Sequence, residues 1–573
     1  MFSYIRKDSN NEINNIFRDN EKNILTDDQS ICNAFAEHFV SSFSEISYPD
    51  YNKIIDLSNA KLDKIVITQT DILRELLNLN CKKSCGPSEI PNLLLKGCSE
   101  IFSKILFLLF ERILLSEKIP NKLKVVSVTP ILKKCKPKDE INSHRPITVE
   151  NNLLKLFEKL LFNNINSYIV NNQIIPDCQY GFMAGVSTQN QLIDLIYGIS
   201  MGLNDSLALC VDVIFLDYSN AFDSVSHGKL LEILFSIGIV GQCLAIISSL
   251  LYGRNFYIIF KAVTSILFAI KSGVPQGGVC SAILFNLFVK DLPKVILYAK
   301  LFQYADDCNL IKVIYNENDQ KLLQTDLNNI QIWSSKQNLT LNAKKSVHLR
   351  FSYKAISIDE YVINNEPIPR KTSHKHLGVI LDDKLNFSEH TENIVSSCMK
   401  KWGYLKKFCI HANWEIFLRL YKTYLLPILE YASLCWIPSN TQLNNIESVQ
   451  RKITKFICFK NGISDLTYTQ RLQNLNLEPL KIRRYTKCLI IVFKCVNHYN
   501  TVPNLWKNIF KFKSTRNGLI LDIPITRLKF CDKNFFINSM YIFNNLPIFI
   551  RNEKNLSLFT QNVKQFLINY FND

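Results

Sequence analysis

The most constraining stretch of the sequence is Leu207-Ala208-Leu209-Cys210-Val211-Asp212-Val213-Ile214-Phe215-Leu216-Asp217, a nearly continuous apolar run that stops at a carboxylate. Such a run reads as a buried strand that delivers Asp217 at its end. Ser226 can cap the helix that follows, whose apolar positions are Leu230, Leu231, Leu234 and Phe235. A second strand pair surrounds Tyr304-Ala305-Asp306-Asp307, with apolar residues up to Phe302 and from Leu310 to Ile314 and the two acids in the turn. Leu323, Leu327, Ile330 and Trp333 then mark an amphipathic helix.

At 573 residues the chain is too long for one simple core, and length alone predicts roughly 3 to 4 domains or subdomains. Residues 1–60 read as a polar, linker-like extension around one helical patch, where Ile31, Ala34, Phe35, Phe39 and Phe43 recur at helical spacing. Residues 61–120 read as a helical extension. Ile72, Leu73, Leu76 and Leu77 share a helical face, Gly86-Pro87 makes a turn, and a long apolar helix runs through Ile101–Leu115. From Val125 to about Arg350 strand-like runs alternate with helices, within a segment bounded at 121–390. Beyond it the signal is mostly helical, divided at 391–460 and 461–573. Three segments there interleave bases with aromatics: Lys400–Lys407, Arg451–Lys460 and Lys507–Arg516.

Lys plus Arg (67) exceeds Asp plus Glu (50), a net charge of +17. That surplus favours a polyanionic partner, nucleic acid before an anionic membrane. A codon supply biased toward Lys, Asn, Ile, Phe and Tyr yields the same excess, so charge alone decides nothing. The seventeen cysteines sit singly in apolar stretches, as Cys210, Cys243 and Cys435 do, and read as reduced core residues. Cys81 and Cys85 are followed by no second pair at zinc spacing, so no structural zinc is expected. Met1–Asp8 lacks the apolar core of a signal peptide. The apolar run Ile105–Leu115 is broken by Glu111 and Arg112 and is far short of a membrane span. A reducing compartment, nucleus and cytoplasm, with no membrane partner, is the expectation.

Why should one strand end in Asp217 and a tight turn hold Asp306-Asp307? An Asp at a strand end is common turn chemistry. Two hard divalent cations about 3.5–4 Å apart, however, require carboxylate oxygens from rigid neighbouring elements. A strand beside a hairpin supplies them.

The ordered company these acids keep resembles the reverse transcriptase domain of non-LTR (LINE-type, jockey-like) retrotransposons. Phe215–Val225 resembles that family's first catalytic block, Ser272-Gly273-Val274-Pro275-Gln276-Gly277-Gly278 its nucleotide-handling block and Tyr304–Asp307 its second catalytic block. Ser143–Thr148 and Gln179-Tyr180-Gly181-Phe182-Met183-Ala184-Gly185-Val186-Ser187-Thr188 resemble its fingers blocks. Leu339–Ser346 and His376–Asp382 resemble the blocks closing its palm, and Tyr421–Trp436 its thumb. The likeness runs from about Ile31 past residue 460.

The resemblance implies an α+β right-hand polymerase, with fingers, a palm of antiparallel sheet backed by helices, and a helical thumb. It implies RNA-directed DNA polymerisation from an RNA template, a DNA primer or target and dNTPs, with two Mg²⁺ ions or Mn²⁺ in their place. Asp217, Asp306 and Asp307 would hold the metals, with the Tyr218 carbonyl as an extra ligand. Phe222 would sit beneath the sugar and exclude a ribose; the alternative is a core Phe. Gln276 and Gly277 would meet the nucleotide, Lys133 and Arg145 would neutralise its triphosphate, and Lys345, with Lys344 competing, would protonate pyrophosphate. The chain departs from the family pattern at Gly278 (usually Ser), Cys280-Ser281-Ala282 (a Pro nearby), Asn220 (usually Lys) and Ser88-Glu89 (usually Asp-Gly); none of these removes a metal ligand. Residues 1–60 are too few for the endonuclease such elements carry, so another chain or an N-terminal domain outside this sequence would supply it. The competing reading is a non-catalytic or decayed relative that only binds RNA.

Overall fold

The computed structural model describes residues 17–19, 23–54, 60–88, 90–133, 136–352, 360–515 and 518–572. Met1–Asp8 and Glu89, which figured in the sequence reading, lie outside them. The chain divides into two compact units that it enters more than once.

The first unit comprises the described residues of Met1–Asp177 with Tyr218–Val295 and Ile330–Leu341. Its sheet is built on strand Val125–Leu132, which pairs antiparallel with His144–Val149 and parallel with Asn255–Phe260. Val263–Thr264 and Phe268–Ala269 both pair with Asn255–Phe260. Helix Asp28–Val40 begins where the Asp27 carboxylate accepts the Ser30 N–H at 2.8 Å, a cap worth ~1 kcal/mol. It buries Ile31, Phe35 and Phe39 against Val126, Val128, Phe256 and Ile258. The helical spacing read from Ile31 onward is thus the face that meets the sheet.

Other helical faces are narrower than their sequences suggest. In helix Gln69–Leu77 only Ile72 and Leu76 are buried, and Leu77 is half exposed. Helix Ser99–Ser116 seals Leu106, Phe110 and Ile113 but leaves Ile101, Ile105, Leu108 and Leu115 exposed. Among the described residues no helix is long and apolar enough to cross a membrane.

The second unit comprises Cys178–Asp217, Ile296–Asn329 and the described residues of Asn342–Asp573. Its sheet runs in the order Lys300–Tyr304, Asp307–Ile314, Cys210–Leu216, Val347–Phe351, Arg370–Lys371. All neighbours are antiparallel except the last pair. The central strand Cys210–Leu216 is buried at every position, as its unbroken apolar run requires. Its one charged residue, Asp212, takes 2.7 Å hydrogen bonds from Arg350 Nε and Nη2 and one of 2.8 Å from the Tyr361 hydroxyl. Burial alone would raise its pKa; the Arg350 fork, together with His348, more than offsets this and holds it at about 2. Helix Thr188–Asn204 lies close on the sheet at Gly202, where a methyl group would stand 2.8 Å from Val211 and Val313 side-chain carbons.

Beyond residue 387 helices dominate, among them Ser388–Phe408, Asn440–Lys460, Leu480–Val496, Phe535–Asn544 and Leu556–Asn572. A strand pair, Phe512–Thr515 with Gly518–Leu521, interrupts the mostly helical expectation. These helices do not form a core of their own. Ile196, Val211 and Phe215 belong to the same continuous apolar cluster as Trp402, Trp436, Trp506, Phe536 and Phe559. Trp402 and Phe510, which the sequence placed in basic–aromatic segments, are therefore buried packing residues.

Candidate active site

The site begins with strand register. Cys308 pairs with Leu216, so the next position along the antiparallel pair sets Asp307 opposite Asp217. Tyr304 pairs with Asp307, which leaves Ala305 and Asp306 as a two-residue loop. Ala305 adopts φ +57°, as tight hairpin turns require. Asp217 is fixed from its other side by Asn342 and Ser346. Its N–H donates to Ser346 Oγ at 3.2 Å, and its carbonyl accepts the Asn342 N–H at 2.9 Å.

Asp307 stands close enough to feel both of the other acids. Asp307 keeps surface open to solvent, yet its pKa is pushed up to about 6. The protein packed around it contributes most, then repulsion from Asp306 and Asp217. Burial also raises the Asp217 carboxyl, against the pull of Lys345. Asp217 Oδ2 is buried and accepts no hydrogen bond, although Lys345 Nζ lies 3.8 Å away. Lys344, the competing lysine, instead stands 3.8 Å from Glu366. A buried carboxylate oxygen without a donor, beside two further acids, fits a cation. Among the described residues no group of three or more His, Cys, Asp or Glu is placed so as to form a metal site by itself. Hard divalent ions that keep water or substrate oxygens do not need a complete one.

The other expected site residues belong to the first unit. Tyr218 pairs with Leu341, and its hydroxyl lies 3.3 Å from Ser334 Oγ. Phe222 is half-buried and stacks one face on Phe285, with ring centroids 4.5 Å apart. Loop Ser272–Gly278 docks beside it: the Val274 N–H donates to the Phe222 carbonyl at 2.9 Å, and the His227 ring bonds the Gly273 carbonyl at 2.9 Å. Gly277 has φ +110°, and a methyl there would stand 3.1 Å from the Thr148 carbonyl. Gln276 donates to both oxygens of Asp223 at 3.1 Å. Asp223 is pushed up to about 6 by burial, against Gln276 and Lys133. Lys133 Nζ donates to the Asn142 carbonyl at 3.0 Å, and Arg145 is exposed on strand His144–Val149.

Two departures from the family pattern have a physical setting. A methyl on Gly278 would meet Ser281 Oγ at 2.6 Å, and Glu150 Oε1 and Pro275 Cγ at 2.9 Å, so the usual serine would require these side chains to shift. Cys280 is buried and lies 3.4 Å from Glu158 Oε2. Glu158 is itself raised to about 8, by burial first and by Glu150 second. Sequence reasoning assigned no role to Asp223 or Gln179. Asp223 was visible within a quoted block, but its bond to Gln276 spans 53 residues.

Residues 133–381 match the family described as "Reverse transcriptase (RNA-dependent DNA polymerase)". The chain is 27% identical over 497 residues to the "Probable RNA-directed DNA polymerase from transposon BS" of Drosophila melanogaster, covering 81% of this chain and 53% of that protein. It is 28% identical over 396 residues to the X-element counterpart of the same fly, covering 68% and 43%. It is 26% identical over 458 residues to the "RNA-directed DNA polymerase from mobile element jockey", covering 76% and 48%. The chain spans about half the length of the curated relatives it matches. Residues 133–381 are a reverse transcriptase domain of the non-LTR retrotransposon type.

Proposed function

We propose that the chain is an RNA-directed DNA polymerase that extends a DNA primer on an RNA template by two-metal nucleotidyl transfer. The observation that carries this reading is the meeting of Asp217, Asp306 and Asp307 at one strand end, with a buried Asp217 oxygen left without a donor. In this reading the sheet of the second unit is the palm and the helices after residue 390 include the thumb. The sheet of the first unit belongs to the fingers.

The three carboxylates would hold Mg²⁺, or Mn²⁺ in its place. Bound there, the ions would stabilise charge on the attacking and leaving oxygens. Lys345 carries a proton at Nζ for the leaving pyrophosphate. Phe222 offers its unstacked face to the sugar, and Gly277 allows close backbone approach by the nucleotide. Arg145 and Lys133 supply positive charge for the triphosphate, and the exposed lysines of helix Ser388–Phe408 supply it for template phosphates.

The test is extension of a DNA primer on an RNA template with dNTPs and Mg²⁺. Template-directed extension that stops on chelation supports the reading. Template binding without extension would make the chain an RNA-binding relative instead.

A further inference from the structure

Gln179 is 4% exposed and spends its whole amide on the turn that carries Asp306 and Asp307. Its Oε1 accepts the Ala305 N–H at 3.0 Å and the Gly181 N–H at 2.9 Å, while its Nε2 donates to the Ala305 carbonyl at 3.4 Å. Both polar groups of the one left-handed residue in the turn are thus met by a single side chain. The backbone on each side of Gln179 is laced to the same hairpin. The Tyr180 N–H donates to the Gln303 carbonyl, and the Gln303 N–H to the Cys178 carbonyl, each at 2.8 Å. Gly181 leaves no slack, since a methyl there would stand 2.3 Å from the Ala305 nitrogen.

The next residue anchors this clamp elsewhere. The Tyr180 hydroxyl donates to Asp194 Oδ2 at 2.6 Å, and Trp506 Nε1 donates to Asp194 Oδ1 at 2.6 Å. Tyr180, Asp194 and Trp506 are all buried. Trp506 lies 125 residues beyond the end of the matched family region at 381. A path of hydrogen bonds, joined by the backbone between Tyr180 and Gln179, therefore runs from Trp506 to the acid-bearing turn.

We propose that Gln179 is a positioning residue that sets the orientation of the Asp306–Asp307 turn, and that Trp506, through Asp194 and Tyr180, holds Gln179 in place. Fixing both peptide groups at Ala305 fixes the direction in which Asp306 and Asp307 leave the turn. An acid that wanders costs metal occupancy rather than fold stability, because the strands on either side keep their own ladder. The link to metal rests on the polymerase reading; the link to turn rigidity does not.

The experiment compares Gln179→Met, which keeps length and removes the amide, with Trp506→Phe, which keeps a ring and removes the N–H. Gln450→Met serves as control, because Gln450 is buried in bonds to Tyr421 and Tyr468. Hydrogen exchange on the metal-free protein reads the Ala305 amide in peptides spanning 299–310, alongside peptides from Leu480–Val496. Gln179→Met should speed exchange at Ala305 by about 10-fold or more and leave the helix peptides unchanged. Trp506→Phe should give the same local pattern at smaller size. Gln450→Met should lower the melting temperature with no change at 299–310. In primer extension, Gln179→Met should raise the Mg²⁺ needed for half-maximal rate several-fold and lower kcat by about 10- to 100-fold, with RNA affinity unchanged. Wild-type exchange at Ala305 in both variants overturns the proposal, and so does faster exchange everywhere. If the wild-type protein extends no primer, the polymerase reading fails and the exchange result still decides the role of Gln179.

Discussion

Replacing Gly181 by alanine adds one methyl group to the second unit at a point where the chain passes close to the acid-bearing turn. The added carbon would stand 2.3 Å from the Ala305 nitrogen, 3.0 Å from Gln179 Oε1 and 3.0 Å from the Tyr304 carbonyl carbon. Uncompressed contacts lie near ~3.5 Å, so the turn must retreat by about 1 Å. A displacement of that size at reacting groups costs on the order of 10²-fold in rate, or about 2.7 kcal/mol of barrier. Overpacking of this kind typically costs ~1–3 kcal/mol in stability. The assay is single-nucleotide incorporation at saturating primer–template and dNTP, read beside a melting curve. Gly97→Ala is the control, because nothing lies within 4 Å of a methyl at that position. A Gly181→Ala protein with kcat within about twofold of wild type would refute the claim that this contact sets the turn.

Phe222→Ala should raise the ratio of ribo- to deoxynucleotide incorporation at a cost below the ~3–5 kcal/mol of a fully buried ring, since only one face of Phe222 is stacked. An unchanged ratio with a lowered melting point would make it a packing residue. Burial pushes Asp194 up to about 6 against hydrogen bonds from Tyr180 and Trp506, so its folded pKa lies above its unfolded one and wild-type stability falls as pH rises from 4 through 6. The stability deficit of Asp194→Asn should therefore shrink over that window, by up to ~3 kcal/mol; denaturation midpoints that keep a constant difference would refute the burial argument. Neutralising Lys400, Lys401, Lys406 and Lys407, all exposed on helix Ser388–Phe408, should flatten the log–log salt dependence of RNA binding by up to about 3. An unaltered slope would place the template elsewhere.

Local chemistry was legible in the sequence. The apolar run Cys210–Leu216, the Ser226 cap and helix Glu317–Lys336 all follow from periodicity and turn residues, and the structure contains each of them; of the two acids expected in the hairpin turn, Asp306 lies in it and Asp307 opens the next strand. What depends on partners distant in the chain was not. Trp402 and Phe510 carry lysine neighbours, so composition alone suggested a nucleic-acid surface, but their rings fill the second unit's core. Helix Ser99–Ser116 is apolar nearly all round, so its sequence could not say which stripe packs. The Gln179 amide meets Ala305 across 126 residues, and no local pattern encodes such a contact. Gly278 read as a departure from a family pattern until its neighbours Ser281 and Glu150 were in place.

The central claim is that three carboxylates at one strand end perform metal-dependent, RNA-templated DNA synthesis, and one comparison tests it most directly. Wild-type protein, Asp217→Asn and Asp306→Asn are each given a primed RNA template, dNTPs and Mg²⁺, with RNA affinity measured in parallel. The account predicts template-directed extension by the wild type and a loss on the order of 10³-fold or more in both variants, at unchanged RNA affinity. Near-normal extension by either variant, or RNA binding without any extension by the wild type, would contradict it.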